Sequence, residues 1–237
     1  MQLSDSQMKA IDEGIFLHRS PYSDSSLITT FFTRQKGLQK FVFRGGKKKA
    51  HQLYPLSVSE LNYYGRTEGN LMNLTSVQAS SNYNFQFDPV KSTIAFFIAE
   101  CIRKCVIDND FDTVMFGFLK TEIQRLNDAL DCALFPIEFM VAFSEVLGLQ
   151  PLVEKQGKVF NLDEGIISNG SSQLNRTEEG AHVVLIAGLI EGRTQSSAVD
   201  RLTREKALET MMMYYRTHVP RIERFETYDI VREILSA

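Results

Sequence analysis

The sequence predicts an α+β fold, in which a five-stranded β-barrel over residues 1–82 is followed by an all-helical domain over residues 83–237. Two observations lead to this prediction. Apolar residues recur with a period of two up to about residue 82, and at steps of three and four residues after residue 88. Charge divides along the chain as well: residues 1–59 carry 9 basic and 4 acidic side chains, whereas residues 60–237 carry 17 and 25.

Five short segments in the first part combine β-branched and aromatic residues with flanking turn formers. The predicted strands are 13–19, 27–33, 38–44, 56–64 and 71–77. Gln35-Lys36-Gly37 predicts a hairpin connection, the segment 65–69 predicts a turn, and the run 45–49 (Gly-Gly-Lys-Lys-Lys) predicts a mobile basic loop. Five antiparallel strands in about 65 residues favour a small closed barrel of the oligonucleotide-binding (OB) type.

The second part shows the spacing of amphipathic helices. Asp88-Pro89 is a typical helix start, because proline is tolerated at the first helical position. Predicted helices begin at residue 89, cover 111–130 and 136–148, and continue at 181–191, 198–217 and 227–236. Between them, residues 150–180 form a small loop-rich insertion, with a possible short hairpin around 158–162.

A basic and aromatic stretch lies inside the predicted barrel. No acidic residue occurs between Asp24 and Glu60. Cations with aromatic side chains between them suit a single-stranded nucleic acid, which offers phosphates and flat bases. The alternative interpretation is a solvated basic face on an ordinary sheet. The candidate nucleic-acid-binding residues are Arg34, Lys36, Lys40, Arg44, Lys47, Lys48, Lys49, Phe41 and Phe43.

The sequence offers no catalytic constellation. Its four histidines are scattered, and none has a Cys or His at a ligand spacing. Cys101 and Cys105 lie in an apolar helical stripe, where core thiols are expected. With three cysteines and no secretory signal at the N-terminus, we expect reduced thiols in the cytoplasm. We therefore predict a protein that is not an enzyme and has no catalytic residue, cofactor or metal.

Three segments carry a resemblance to a known family. The series from Glu13 to Leu38 (EGIFLHRSPYSDSSLITTFFTRQKGL) resembles the start of the bacterial DNA repair protein family RecO. The stretch 40–49 (KFVFRGGKKK) is similar to the basic segment that follows the third strand in that family. Near the other end, 214–220 (YYRTHVP) is similar to its closing helix. The resemblance thus spans essentially the whole chain.

The resemblance implies an N-terminal OB barrel, a helical C-terminal part and a role in recombinational DNA repair without catalytic turnover. Such proteins bind single- and double-stranded DNA and anneal complementary strands. With RecR they help the recombinase RecA to replace single-strand binding protein (SSB) on gapped DNA, in the cytoplasm and on the nucleoid. Many members hold a four-cysteine zinc module in the helical part. Residues 150–180 contain no cysteine, so we expect no zinc here.

The resemblance also implies a receptor site for the acidic, hydrophobic tail of SSB. Such a site needs an apolar pocket and cations for the terminal carboxylate. Arg103, Lys104 and Arg125, on the first two predicted helices, are the candidates, with Arg201 and Arg204 as a second set. Charges on a solvated helix face are the alternative interpretation for each of them.

Two other functions stay open at this point. An RNA-binding barrel protein would use the same stacking and phosphate contacts, and comparing affinities for matched DNA and RNA strands separates the two. A protein-interaction scaffold would turn its basic face to an acidic partner. Its affinity for a bare oligonucleotide should show no linear loss with the logarithm of salt concentration.

Overall fold

A computed structural model describes residues 8–65, 71–80, 83–107, 112–155, 157–170, 176–193 and 199–235. Contacts divide the chain into two compact units, Met1–Asn127 and Asp128–Ala237. The first unit thus includes two helices beyond the barrel, whereas the sequence prediction places a domain boundary at 82/83. The first unit carries 15 basic and 12 acidic side chains and the second 11 and 17, so the change of charge follows the units.

The first unit contains the five-stranded closed barrel that the sequence predicts. Its strands follow one another in the order β1-β2-β3-β5-β4 and close between β4 and β1. Neighbouring strands are antiparallel except β3 and β5, which pair in parallel, so the expectation of an all-antiparallel barrel is wrong for this pair. The predicted turn 65–69 lies, beyond its first residue, outside the described residues. The strands are β1 Met8–Pro21, β2 Leu27–Thr33, β3 Gly37–Phe43, β4 Val58–Gly65 and β5 Leu71–Ala79.

Aromatic side chains fill the barrel interior. Phe31 lies edge-on to Phe16 and Phe41, with ring centroids 5.3 and 5.9 Å apart, and Phe41 also contacts Tyr63. All four are buried in one cluster with aliphatic residues of β2, β4 and β5. Edge-to-face ring pairs add to the stability that burial of their surface provides.

Two helices complete the first unit, α1 Pro89–Cys105 and α2 Thr113–Asp128. Asp88 caps α1 by accepting from the backbone N–H groups of Val90 and Lys91, as the Asp-Pro start predicts. Phe116 of α2 stacks on Phe32 of β2, with ring centroids 6.2 Å apart, so this helix packs on the barrel wall. This contact explains why β2 is buried on both faces.

Four further helices lie in the described part of the second unit. Tyr215 anchors two of them, because its buried hydroxyl donates to the carbonyl of Met140 over 2.7 Å. None of the described helices is both long and apolar enough to cross a membrane. The helices are α3 Phe135–Val146, α4 Ala181–Ile190, α5 Arg201–His218 and α6 Tyr228–Leu235.

The insertion in the second unit is more regular than the sequence predicts. Four short strands form a sheet in the order β6-β8-β7-β9. Phe160 packs on Tyr214 of α5, with ring centroids 5.2 Å apart, and a ring nitrogen of His218 lies 2.8 Å from the carbonyl of Leu162. The strands have two or three residues each, too few for a period to be visible in sequence. They are β6 Leu152–Val153, β7 Val159–Asn161, β8 Ile166–Ser168 and β9 Thr177–Glu179.

Candidate nucleic-acid interface

The predicted basic loop is a structured element. Residues Gly46–Gln52 form a 3-10 helix where the sequence predicts a loop. Gly45 precedes it with φ of 66°, in the left-handed region that glycine adopts without strain. Gly46 is buried against Phe43, where an added Cβ would come within 2.9 Å of Cδ1 of that ring. The two glycines therefore set the entry of the helix, which holds three consecutive lysines in place.

Five cations gather at this end of the barrel. The backbone N–H of Lys47 donates to the carbonyl of Ser25 in the β1–β2 turn over 3.3 Å, and the guanidinium of Arg19 donates to the carbonyl of Ala50. Arg44 follows directly on β3. We call this cluster the basic end; its members are Arg19, Arg44, Lys47, Lys48 and Lys49, all exposed.

Arg19 is a member that the sequence reasoning missed. It lies before Asp24 and is therefore outside the stretch between Asp24 and Glu60, which contains no acidic residue. Its position three residues before the β1–β2 turn is the signal that would have included it. Lys49 differs from its neighbours, because its Nζ lies 5.5 Å from the ring centroid of Phe43 in a cation–π contact. Lys47 and Lys48 are therefore better placed to reach a phosphate.

Lys40 lies apart from the basic end, on the outward face of β3. It pairs across the sheet with Thr30 of β2 and Leu71 of β5, and Thr30 in turn pairs with His18 of β1. His18, Lys40 and Leu71 are exposed along this row. In OB folds the outward face of strands 2 and 3 is a common ligand surface, so Lys40 extends the interface beyond the basic end.

Arg34 and Lys36 lie at the opposite end of the β2–β3 hairpin, about 20 Å from Arg44 at 3.4 Å per residue. Arg34 is engaged there, because its guanidinium lies 3.4 Å from the carboxylate of Glu13 and 5.8 Å from the ring of Phe116. Lys36 follows Gln35, whose backbone N–H donates to the buried carboxylate of Asp12. The nine predicted residues thus do not form a single patch.

Phe41 and Phe43 have a different role from the predicted one. Both rings are fully buried in the barrel, with 0% of their surface exposed. A base cannot stack on a ring that has no open face, so the prediction that they contact nucleic acid is wrong. The alternation of side chains along β3 would have revealed this. Lys40 lies on the outward face of the strand, whereas Phe41 and Phe43 lie on the opposite face.

The cations predicted for the SSB tail belong to the first unit and do not converge. Lys91, near the start of α1, donates to the backbone carbonyl of Asn127, so the start of α1 lies beside the end of α2, close to Arg125. Arg103 and Lys104 lie about 18 Å further along α1, at 1.5 Å per residue. Lys104 and Arg125 each lie 3.1 Å from a carboxylate of their own helix, Glu100 and Glu122 respectively.

The second set lies beside a pocket. Arg201 pairs with Glu205 over 2.7 Å, and Arg204 donates to the carbonyl of Val199 over 2.8 Å. Val199 lines a pocket of about 390 Å³ between α4 and the start of α5. The pocket combines apolar side chains with a guanidinium; its lining is Ala181, Val184, Leu185, Gly188, Arg193, Val199, Asp200 and Thr203. The lining offers an acidic, hydrophobic peptide an apolar surface and one cation, Arg193, which also pairs with Glu191, while Asp200 adds a negative charge.

The cysteines of α1 are core residues. Cys101 is buried and Cys105 is partly buried. Burial raises the pKa of both thiols, that of Cys105 to about 12, so both stay protonated at neutral pH and are poor nucleophiles and metal ligands. Within the described ranges, no three His, Cys, Asp or Glu side chains are grouped so that they could hold a metal ion.

The known proteins that this chain resembles are DNA repair proteins named RecO. Residues 8–83, which contain the barrel, match the family described as Recombination protein O N terminal. The DNA repair protein RecO of Phocaeicola vulgatus is 27% identical over 237 residues, covering 94% of this chain and 98% of the relative. Those of Christiangramia forsetii and Flavobacterium psychrophilum are each 24% identical, covering 94% and 97% of this chain and 97% and 100% of the relatives.

Proposed function

The chain belongs to the RecO family, and we propose that it is a DNA-binding recombination mediator in DNA repair. It binds single- and double-stranded DNA, anneals complementary strands and, with RecR, helps to load RecA onto SSB-coated DNA. It acts without catalytic turnover, in the cytoplasm and on the nucleoid. The relatives named above are DNA repair proteins, and the match covers nearly the whole length of each of them. This supports the same role for this chain.

The basic end is the observation that carries the proposal. Five cations surround one end of the barrel. Two of them are held there by hydrogen bonds to backbone carbonyls, Lys47 through its backbone N–H and Arg19 through its guanidinium. Between Asp24 and Glu60 the sequence has no acidic side chain that would repel a phosphate. Such a surface attracts the backbone of a nucleic acid without reading its sequence.

The test is the salt dependence of DNA binding. Replacing Lys47, Lys48 and Lys49 by Ala should weaken binding to every single-stranded sequence alike. The slope of log affinity against log salt should become shallower by about 1.4, since Lys47 and Lys48 each supply one phosphate contact and each contact contributes about 0.7 for single strands. The matched control replaces three exposed lysines of the second unit, Lys155, Lys158 and Lys206, and should leave the slope unchanged.

Two results would favour the alternatives. Tighter binding of a matched RNA strand than of DNA would indicate an RNA-binding protein. Failure of the wild-type protein to bind an oligonucleotide, even at low salt, would indicate a protein scaffold. A basic-end variant with wild-type affinity and slope would show that these lysines are merely solvated.

We also propose the acidic tail of SSB as a partner. Because Arg103 and Lys104 lie far from Arg125 along α1 and α2, a single tail should depend on one end of this helix pair rather than on all three cations. The pocket beside Arg204 supports the second set. Anisotropy of a labelled tail peptide should distinguish R103A/K104A, R125A and R201A/R204A, of which one should lose binding.

A further inference from the structure

The β1–β2 turn carries an exposed aromatic side chain. Tyr22 is 60% exposed, whereas Tyr54 and Tyr64 are partly buried and the phenylalanines of β1, β2 and β3 are in the core. Among the phenylalanines and tyrosines in the described part of residues 8–79, Tyr22 is therefore the one whose ring is open to solvent. An exposed ring offers a flat face on which a ligand with a complementary flat face can stack.

Hydrogen bonds fix the position of this turn. The backbone N–H of Tyr22 donates to the carbonyl of Ser26 over 3.0 Å, and that of Ser23 donates to the same carbonyl over 3.3 Å. The N–H of Ser26 donates in return to the hydroxyl of Ser23. Because the turn is closed on itself before a ligand arrives, binding loses little conformational entropy there.

The turn is joined to the basic end. The carbonyl of Ser25 accepts from the backbone N–H of Lys47, which ties the turn to the lysine-bearing 3-10 helix. Arg19 lies three residues before Tyr22 on β1, and Pro21 pairs with Leu27, which pairs in turn with Phe43 next to Arg44. An aromatic ring and several cations thus share one end of the barrel, although Asp24 adds one negative charge to the turn.

We propose that Tyr22 is a stacking platform for an unpaired base of single-stranded DNA, while Arg19, Arg44, Lys47 and Lys48 hold the flanking phosphates. This rests on the proposed DNA-binding function and adds to it a reason to prefer single strands. A base in a duplex is stacked between its neighbours and has no free face, whereas a base in a single strand is open to an aromatic side chain.

The absence of tryptophan from the sequence allows a direct test. Tyr22→Trp introduces the only indole of the protein, and its fluorescence should be quenched when a thymine oligonucleotide binds. Phe87→Trp places an indole at another exposed aromatic position of the first unit, 78% exposed, and should not be quenched. Absence of quenching at position 22 under saturating DNA would overturn the proposal.

Affinities complete the test. Tyr22→Leu should weaken single-strand binding by about 5- to 150-fold, the range for loss of one stacked base. It should leave the salt slope and duplex affinity unchanged, because it removes no charge. Tyr22→Phe keeps the ring and should bind within about twofold of wild type.

A strand with abasic sites separates stacking from phosphate contacts. Wild type and Tyr22→Leu should bind it equally, since no base is available. Wild-type affinity of Tyr22→Leu for the normal strand, with a normal salt slope, would refute the stacking role and leave the proposed function intact. If the wild-type protein binds no DNA, both proposals fail together.

Discussion

Asp12 shows how a single charged residue is accommodated in the barrel. It is 3% exposed, and its carboxylate accepts from the backbone N–H groups of Glu13 and Gln35, over 2.8 and 3.2 Å. Burial nevertheless outweighs these hydrogen bonds and raises the pKa of Asp12 above its usual 3.8. The folded protein therefore binds this proton more tightly than the unfolded chain does.

This difference predicts a pH dependence of stability. Compared with Asp12→Asn, the wild-type protein should gain stability as pH falls from neutrality through the raised pKa, and the gain should be complete below 3.8. Urea unfolding of both proteins across this range measures the difference in free energy of unfolding. Asp24→Asn, which removes an exposed carboxylate of the same unit, is the matched control. A difference that grows toward neutral pH in favour of the wild type would contradict the assignment.

At the scale of elements, the 3-10 helix depends on close packing against the barrel. Gly46→Ala would place a methyl group 2.9 Å from Cδ1 and 3.1 Å from Cγ of the buried Phe43 ring. Because that ring is confined by the core, the helix must shift, which should lower the free energy of unfolding by about 1–3 kcal/mol. It should also weaken DNA binding, since the displaced helix carries Lys47 and Lys48.

A second glycine provides the control for this prediction. Gly117 lies in α2, and a Cβ there would meet nothing within 4 Å. Gly117→Ala should therefore raise the free energy of unfolding by about 0.5–1 kcal/mol, because alanine favours the helix. If both variants change stability in the same direction, close packing is not what requires glycine at position 46.

At the scale of the whole molecule, charge divides between the two units. The first unit has three more basic than acidic side chains and the second has six more acidic than basic. We expect the second unit to contribute little to DNA affinity, because its net charge repels the phosphate backbone. DNA binding should therefore be insensitive to replacement of cations of the second unit.

Strand annealing tests the role of the cations on α1 and α2, which belong to the first unit but lie outside the barrel. Replacing Arg103, Lys104 and Arg125 together by Ala should leave the affinity for naked DNA within about threefold. Annealing of bare strands should survive, whereas annealing of SSB-coated strands should fail if one end of α1 and α2 receives the tail. Loss of bare-strand annealing would instead place these cations on the DNA surface. Unchanged annealing of coated strands would indicate that the tail binds at Arg201, Arg204 and the adjacent pocket instead.

Local patterns were sufficient for most of the elements. β2 has the predicted bounds, and α1 begins at Pro89 as the Asp-Pro start indicates. In each case the signal lies in adjacent residues, such as a β-branched run or a capping side chain. The basic character of the barrel and its family resemblance were likewise readable from the sequence alone, because composition and order of residues need no coordinates.

Only the tertiary structure decided which of these residues share a surface. Arg34 and Arg44 are close in sequence but lie at opposite ends of a hairpin, whereas Arg19 and Ala50 are 31 residues apart and in contact. Phe43 is in the core and Tyr22 is exposed, although both are aromatic residues of the barrel. Sequence patterns report neighbours along the chain, while the closure of the barrel determines which side chains are brought together and which face water.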